Sequence, residues 1–189
     1  MATLEIRFVG KGGQGIVFLG LILSRAAVIY EERNASNIQS YESRMRGGLT
    51  ISDVIISDSD IICPIVTKPD VLVALTGESL EEFANALKEG GLLLIDGNVR
   101  ISLKNNFKIL RIPSTQIAES EFKSATTANM IMLGALIGII DIISEESVMN
   151  SLLDLMEQLD LKDSVKEKNI QALIRGIRLG RDLAKNSLN

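Results

Sequence analysis

The chain has 189 residues, with 20 Lys plus Arg against 24 Asp plus Glu, a formal charge of −4, one Cys, and neither His nor Trp. Cys63 cannot make an internal disulfide or hold an iron–sulfur cluster by itself, and without His the usual neutral-pH general base and the commonest metal ligand are missing. A 46% hydrophobic, 23% charged composition excludes a disordered chain, and an acidic chain with 4% aromatics is a poor nucleic-acid binder.

Leu4 to Val9 is an apolar-rich run ending at glycines and predicts a buried strand. Gly10 to Gly15 is a turn, and apolar residues at helical spacing from Ile16 to about Glu32 predict a helix. The opening unit is therefore Rossmann-like: strand, glycine turn, helix. Ala35 to Ser40 is a candidate second strand, Tyr41 to Gly48 a basic loop, and Leu49 to Ser57 an Ile/Val-rich strand. After the Asp58-Ser59-Asp60 turn, Ile61 to Ile65 reads as a short returning strand or turn, which would make a hairpin and a mixed sheet. Asp70 to Thr76 and Leu92 to Ile95 read as strands buried on both faces, separated by a helix over Glu78 to Lys88. Lys108 to Ile112 is a further strand, and Ser114 is placed to cap a short helix from about Thr115 to Glu121. Helices follow over Thr126 to Ile140, from Ser144 to about Leu159, and from about Lys166 to Ser187. The alternation predicts an α/β fold: a three-layer α/β/α sandwich around a mainly parallel, mixed sheet. We expect a single domain over residues 1–189, with 163–189 a helix available as an interaction arm. The 11 apolar residues from Met130 to Ile140 fall short of the roughly 20 that a membrane span needs, and no basic, long-apolar leader opens the chain. A cytoplasmic protein is expected.

Gly10-Lys11-Gly12-Gly13-Gln14-Gly15 satisfies the GxGxxG spacing of dinucleotide sites. Glycines allow close backbone approach, a helix N-terminus suits phosphate, and Lys11 would add positive charge. The acidic residue that should follow about 20 positions later to hold a ribose is not where it is needed: the second strand ends near Gln39-Ser40, and Glu42 lies beyond it. The second signal is Ser40-Tyr41-Glu42-Ser43-Arg44-Met45-Arg46-Gly47-Gly48, where arginines suited to phosphate or carboxylate precede two glycines. Thr126, Thr127 and Asn129 open the apolar helix, as caps or toward a ligand. Gly134 and Gly138, and likewise Gly176 and Gly180, lie four apart on single helix faces, a spacing for internal packing or a subunit contact. Cys63 reads as a small buried apolar residue, and Glu78, Glu81 and Glu82 as a solvated first turn.

Taken in order, the glycine turn with Ile16-Val17, the Ser40-Tyr41 … Arg46-Gly47-Gly48 loop, Ser57-Asp58 … Pro64 … Pro69-Asp70, and Asn129-Met130 … Leu133-Gly134-Ala135 resemble the gamma subunit of 2-oxoacid:ferredoxin oxidoreductases over nearly the whole chain. Thr67 to Leu75 looks most like the stand-alone gamma subunits of 2-oxoglutarate enzymes, with pyruvate and branched-chain versions as alternatives. The resemblance implies oxidative decarboxylation of a 2-oxoacid with coenzyme A, giving acyl-CoA, carbon dioxide and reduced ferredoxin. It implies thiamine diphosphate held mainly by alpha and beta partners, and iron–sulfur clusters on the beta or a delta partner. This chain would bind no cofactor alone but would help form the coenzyme A region. The matching positions are Gly12, Gly13, Gln14, Gly15, Ser40, Tyr41, Arg46, Gly47, Gly48 and Asn129. Glu42 stands where the family usually has Gly and Arg44 where it usually has Glu, so the loop's conformation and charge are expected to differ. Two other readings compete: a stand-alone Rossmann-like dinucleotide binder and a ligand-free scaffold.

Overall fold

The computed structural model describes residues 3–41, 48–78, 80–100 and 107–186. Six strands form one sheet: β1 (Thr3–Lys11), β2 (Asn34–Tyr41), β3 (Leu49–Ser57), β4 (Val71–Ala74), β5 (Leu92–Asp96) and β6 (Lys108–Ile112), in the order β2-β3-β1-β4-β5-β6. The pairs β1–β4, β4–β5 and β5–β6 are parallel, and β3 runs antiparallel to both neighbours. The sheet is thus mixed, as expected, but for another reason. Residues 61–65 form no strand. Both edges of β3 are already taken, by β1 (Thr3 opposite Ser57) and by β2 (Asn34 opposite Ser57), so the returning segment has no free ladder to join.

The helices are α1 (Ile16–Arg25), α2 (Leu80–Asn85), α3 (Ser114–Phe122), α4 (Ala128–Ile139), α5 (Glu145–Gln158) and α6 (Asp163–Asn186). The expected first helix stops early as an α-helix and finishes as one π turn over Ala26–Tyr30. There the Tyr30 hydroxyl donates to Asp154 of α5, which pushes the phenol's pKa above its ordinary value. The helix expected from Ser144 is α5, and Ser144 caps it, its Oγ accepting from Ser147 N at 3.1 Å, with Glu145 and Glu146 in the first turn. Ser114 does not cap α3: its hydroxyl donates to Asp96 instead, and it is Asp96 that accepts the Thr115 N–H, at 2.8 Å.

Alternation along the strands divides the core. Ile6, Phe8, Val54, Ile56, Val71, Val73, Leu92 and Leu94 face α1 and α3 to α6. Val9, Leu72, Ala74, Leu93 and Ile95 face α2, which contributes Leu80 and Ala84. The two helical layers are unequal. Helix α4 is buried on every side from Ala128 to Ile137, as suits a helix that is apolar all round. It is enclosed because α6 lies against it, backbone to backbone. A Cβ on Gly134 would run into Leu173 O of α6, and one on Gly176 into Ile131 O of α4. Gly138 and Gly180 interlock in the same way. The two glycine pairs therefore answer each other inside the chain.

The opposite layer is thin. On that side Arg7 pairs with Asp53 through Nε and Nη2, each at 2.7 Å, and its Nη2 also reaches Val66 O. The 58–70 connection thus passes over this face, with Ile62 97% and Ile65 61% exposed; Cys63, expected to be buried, is exposed on the same connection because it belongs to no strand of the sheet. Ile38 of β2 is 37% exposed. Among the described residues, no helix is long and apolar enough to cross a membrane.

Candidate functional site at the switch point

Strands β1, β4, β5 and β6 run parallel, so their C-terminal ends share one edge. The chain leaves β1 into α1 on one face and leaves β4 into α2 on the other. The crevice between the two departures is a topological switch point, the place where open α/β sheets bind ligands.

The glycine turn stands at this crevice. Gly15 adopts φ +73° and is the N-cap of α1, whose first N–H groups and positive dipole end face the turn. Gly13 has φ +90° and nothing within 4 Å of where a Cβ would stand, which leaves room for a close approach. Gly12 N donates to Gly48 O at 3.0 Å, so the turn is tied to the far end of the basic loop. A Cβ on Gly15 would overlap the side-chain amide of Asn129, 3.3 Å from its Cγ. Asn129 is 7% exposed in the first turn of α4, and its Oδ1 accepts Met130 N at 2.7 Å. Thr127 does not cap α4 with its side chain; its hydroxyl donates to Ser124 O at 2.8 Å. Gln14 uses both ends of its amide: Oε1 accepts from Lys11 N at 2.6 Å and Nε2 donates to Leu75 O at 3.4 Å. The Lys11 ammonium lies 3.6 Å from Glu78, which offsets part of the charge it was expected to offer.

Ser40 and Tyr41 reach the same edge two strands away, opposite Ile51 and Thr50 of β3. Tyr41 is 64% exposed, and its hydroxyl donates to Gln39 Oε1 at 3.1 Å. Arg46 and Gly47, with Glu42 and Arg44, lie outside the described residues. The described members of the expected set thus gather along one edge: Gly12 to Gly15, Gly48 and Asn129 in contact, Ser40 and Tyr41 farther along.

A cleft of about 200 Å³ opens there, lined by Gly13, Gln14, Leu75, Thr115, Thr126 and Asn129. Adjoining it across Leu75 and Thr115 is a shallower one of about 430 Å³ that includes Thr76, Asn98 and Arg100. Its floor is fixed by the buried Asp96 carboxylate, which accepts from Asn98 N, Ser114 Oγ and Thr115 N. Sequence reasoning missed Thr76, Asn98, Arg100 and Thr115. The available signal was position: each follows the C-terminal end of a strand that proves to be parallel. A wider cleft of about 540 Å³ lies at the opposite edge, beside Thr3, Arg33 and Asp141. None of the expected residues lines it, and Arg33 is held there by Asp58 and Ile142 O. Among the described residues, no group of three or more His, Cys, Asp or Glu side chains converges as a metal site would require.

The geometry bears on the dinucleotide reading. In that fold the second strand lies beside the first, so its terminal acid reaches the ribose. Here β3 separates β1 from β2, and the Gln14 amide lies across the crevice.

Comparison with known proteins agrees with the resemblance. Residues 5–179 match the family described as Pyruvate ferredoxin/flavodoxin oxidoreductase. The 2-oxoglutarate synthase subunit KorC of Methanocaldococcus jannaschii is 38% identical over 182 residues, 95% of each chain. The crystal structure of a keto/oxoacid ferredoxin oxidoreductase gamma subunit from Geobacter sulfurreducens superposes with a TM-score of 0.81 at 31% identity, covering 96% of this chain and 98% of that one. The 2-oxoglutarate:ferredoxin oxidoreductase of Magnetococcus marinus, solved with 2-oxoglutarate, coenzyme A and succinyl-CoA bound, also gives 0.81, at 25% identity. It covers 96% of this chain and 32% of that one.

Proposed function

Since the chain belongs to the pyruvate ferredoxin/flavodoxin oxidoreductase family, as a gamma-type subunit of 2-oxoacid:ferredoxin oxidoreductases, we propose that its switch-point edge forms part of the coenzyme A region of such a complex. The reaction would be oxidation of a 2-oxoacid, by resemblance 2-oxoglutarate, to acyl-CoA and carbon dioxide with reduction of ferredoxin. Alpha and beta partners, with or without a delta subunit, would carry thiamine diphosphate and the iron–sulfur clusters, in the cytoplasm. This chain would not turn over alone.

The observation that carries the reading is the cleft lined by Gly13, Gln14 and Asn129 at the C-terminal edge of the parallel strands, with Gly15 packed on Asn129 and Gly12 bonded to Gly48. The residues fit an anionic cofactor. The N-terminus of α1 offers N–H groups and partial positive charge, Gly13 offers close approach, and Thr115 and Thr126 offer hydroxyls. Arg46, by sequence, would add a guanidinium to phosphate. Coenzyme A supplies the thiol that accepts the acyl group, and this chain's part is to bind and orient it. The thin layer beside Ile38, Ile62 and Ile65 supports a chain built to pack on partners, because such residues stay wet in isolation.

The test is Arg46→Ala in the reconstituted complex. The coenzyme A KM is expected to rise about tenfold, the loss of one charge-assisted hydrogen bond, with the 2-oxoacid KM unchanged. An unchanged coenzyme A KM with normal assembly would leave packing as the chain's only role.

A further inference from the structure

We propose that Gln14 is a positioning residue: its side-chain amide latches the glycine turn to the end of β4 and so sets the mouth of the switch-point cleft. The inference rests on the coenzyme A reading for its kinetic consequence, but not for the latch itself.

Both ends of the amide are engaged inside the chain, by Lys11 N–H on the oxygen and Leu75 C=O on the nitrogen. The orientation is dictated by these partners. Turned over, the amide would set donor against donor at Lys11 and acceptor against acceptor at Leu75. The two anchors belong to opposite sides of the crevice. Lys11 ends β1, and Leu75 follows β4, where its own N–H donates to Val9 O at 2.9 Å. The turn is closed independently by Gln14 N on Lys11 O at 3.0 Å. The side chain thus braces an already formed turn against the neighbouring strand.

The neighbourhood is shaped to seat it. A Cβ on Gly10 would stand 2.8 Å from Gln14 Oε1 and 2.7 Å from Ile16 Cγ1, so the first glycine of the motif makes room for this side chain. Few other residues could do the same work. Glu keeps the acceptor for Lys11 but turns a carboxylate oxygen on Leu75 O, Lys has no acceptor, and Leu has neither group. Because Gln14 also lines the cleft with Gly13, Thr115 and Asn129, a turn released from β4 would change the cleft's width.

The experiment compares wild type, Gln14→Glu and Gln14→Leu in the full chain and in the reconstituted complex, with Arg46→Ala alongside. Amide hydrogen exchange at Lys11 should accelerate about tenfold or more in Gln14→Leu, the loss of one hydrogen bond, and less in Gln14→Glu, which keeps the acceptor. In the complex, both variants should raise the coenzyme A KM several-fold while kcat and the 2-oxoacid KM hold. A general loss of folding would instead lower kcat and assembly together. Unchanged Lys11 exchange in Gln14→Leu overturns the latch. Faster exchange with an unmoved coenzyme A KM, when Arg46→Ala does move it, overturns the positioning role. If neither Gln14 variant nor Arg46→Ala moves that KM, the coenzyme A reading fails, and faster Lys11 exchange then supports the latch by itself.

Discussion

Replacing Gly176 by Val should destabilise the protein by about 3 kcal/mol, the upper end of the range for overpacking a core. A Cβ at this position stands 2.9 Å from Ile131 C and 3.0 Å from Ala135 N and runs into Ile131 O, all backbone of α4. Backbone cannot rotate away as a side-chain tip can, so the helices must separate. Gly134, Gly138 and Gly180 make equally close contacts, and separation would loosen all of them together. The melting temperature read by circular dichroism should fall by about 10 °C for a domain of this size. Lys168→Val, at an exposed position on the same helix, should stay near wild type. A Gly176→Val variant that melts with wild type would contradict the docking of α6 on α4.

Gly15→Ala should act at the site itself. At φ +73° an alanine costs about 1–2 kcal/mol in backbone strain, and its Cβ must also displace the Asn129 amide. The expected total is about 3 kcal/mol once overpacking is added. Combining it with Asn129→Ala separates the two causes. The double variant should recover the steric part and retain the backbone part, a coupling of about 1 kcal/mol or more between residues in contact. Urea midpoints of the four variants measure it. Strict additivity would mean that Gly15 and Asn129 do not touch.

These two predictions mark what the sequence did and did not disclose. Elements with strong local signals were legible to the residue, such as β3 over Leu49–Ser57, or nearly so, such as α5 behind Ser144. Misreadings came where a distant group decides. Residues 61–65 look capable of pairing, but β3 offers no open edge. Ser114 looks like a cap, yet the acceptor for Thr115 N is Asp96, the last residue of β5. Each glycine pair was visible in its own helix, but nothing local says that the two helices would meet there. For the site, the motifs picked out the glycine turn and Asn129, which the fold brings into contact through Gly15. What spacing could not reveal is that Gln14 turns inward, onto Lys11 N and Leu75 O. The lining threonines, Asn98 and Arg100 were hidden as well, because strand direction must be known before the ends of strands can be read.

The most direct measurement is 2-oxoacid- and coenzyme A-dependent ferredoxin reduction, assayed with this chain alone, with its alpha and beta partners alone, and with all of them combined. No turnover is expected from this chain alone, and full activity with a low coenzyme A KM only from the combined complex. Turnover by this chain alone would contradict that expectation. So would partners that reach the same rate and the same coenzyme A KM without it.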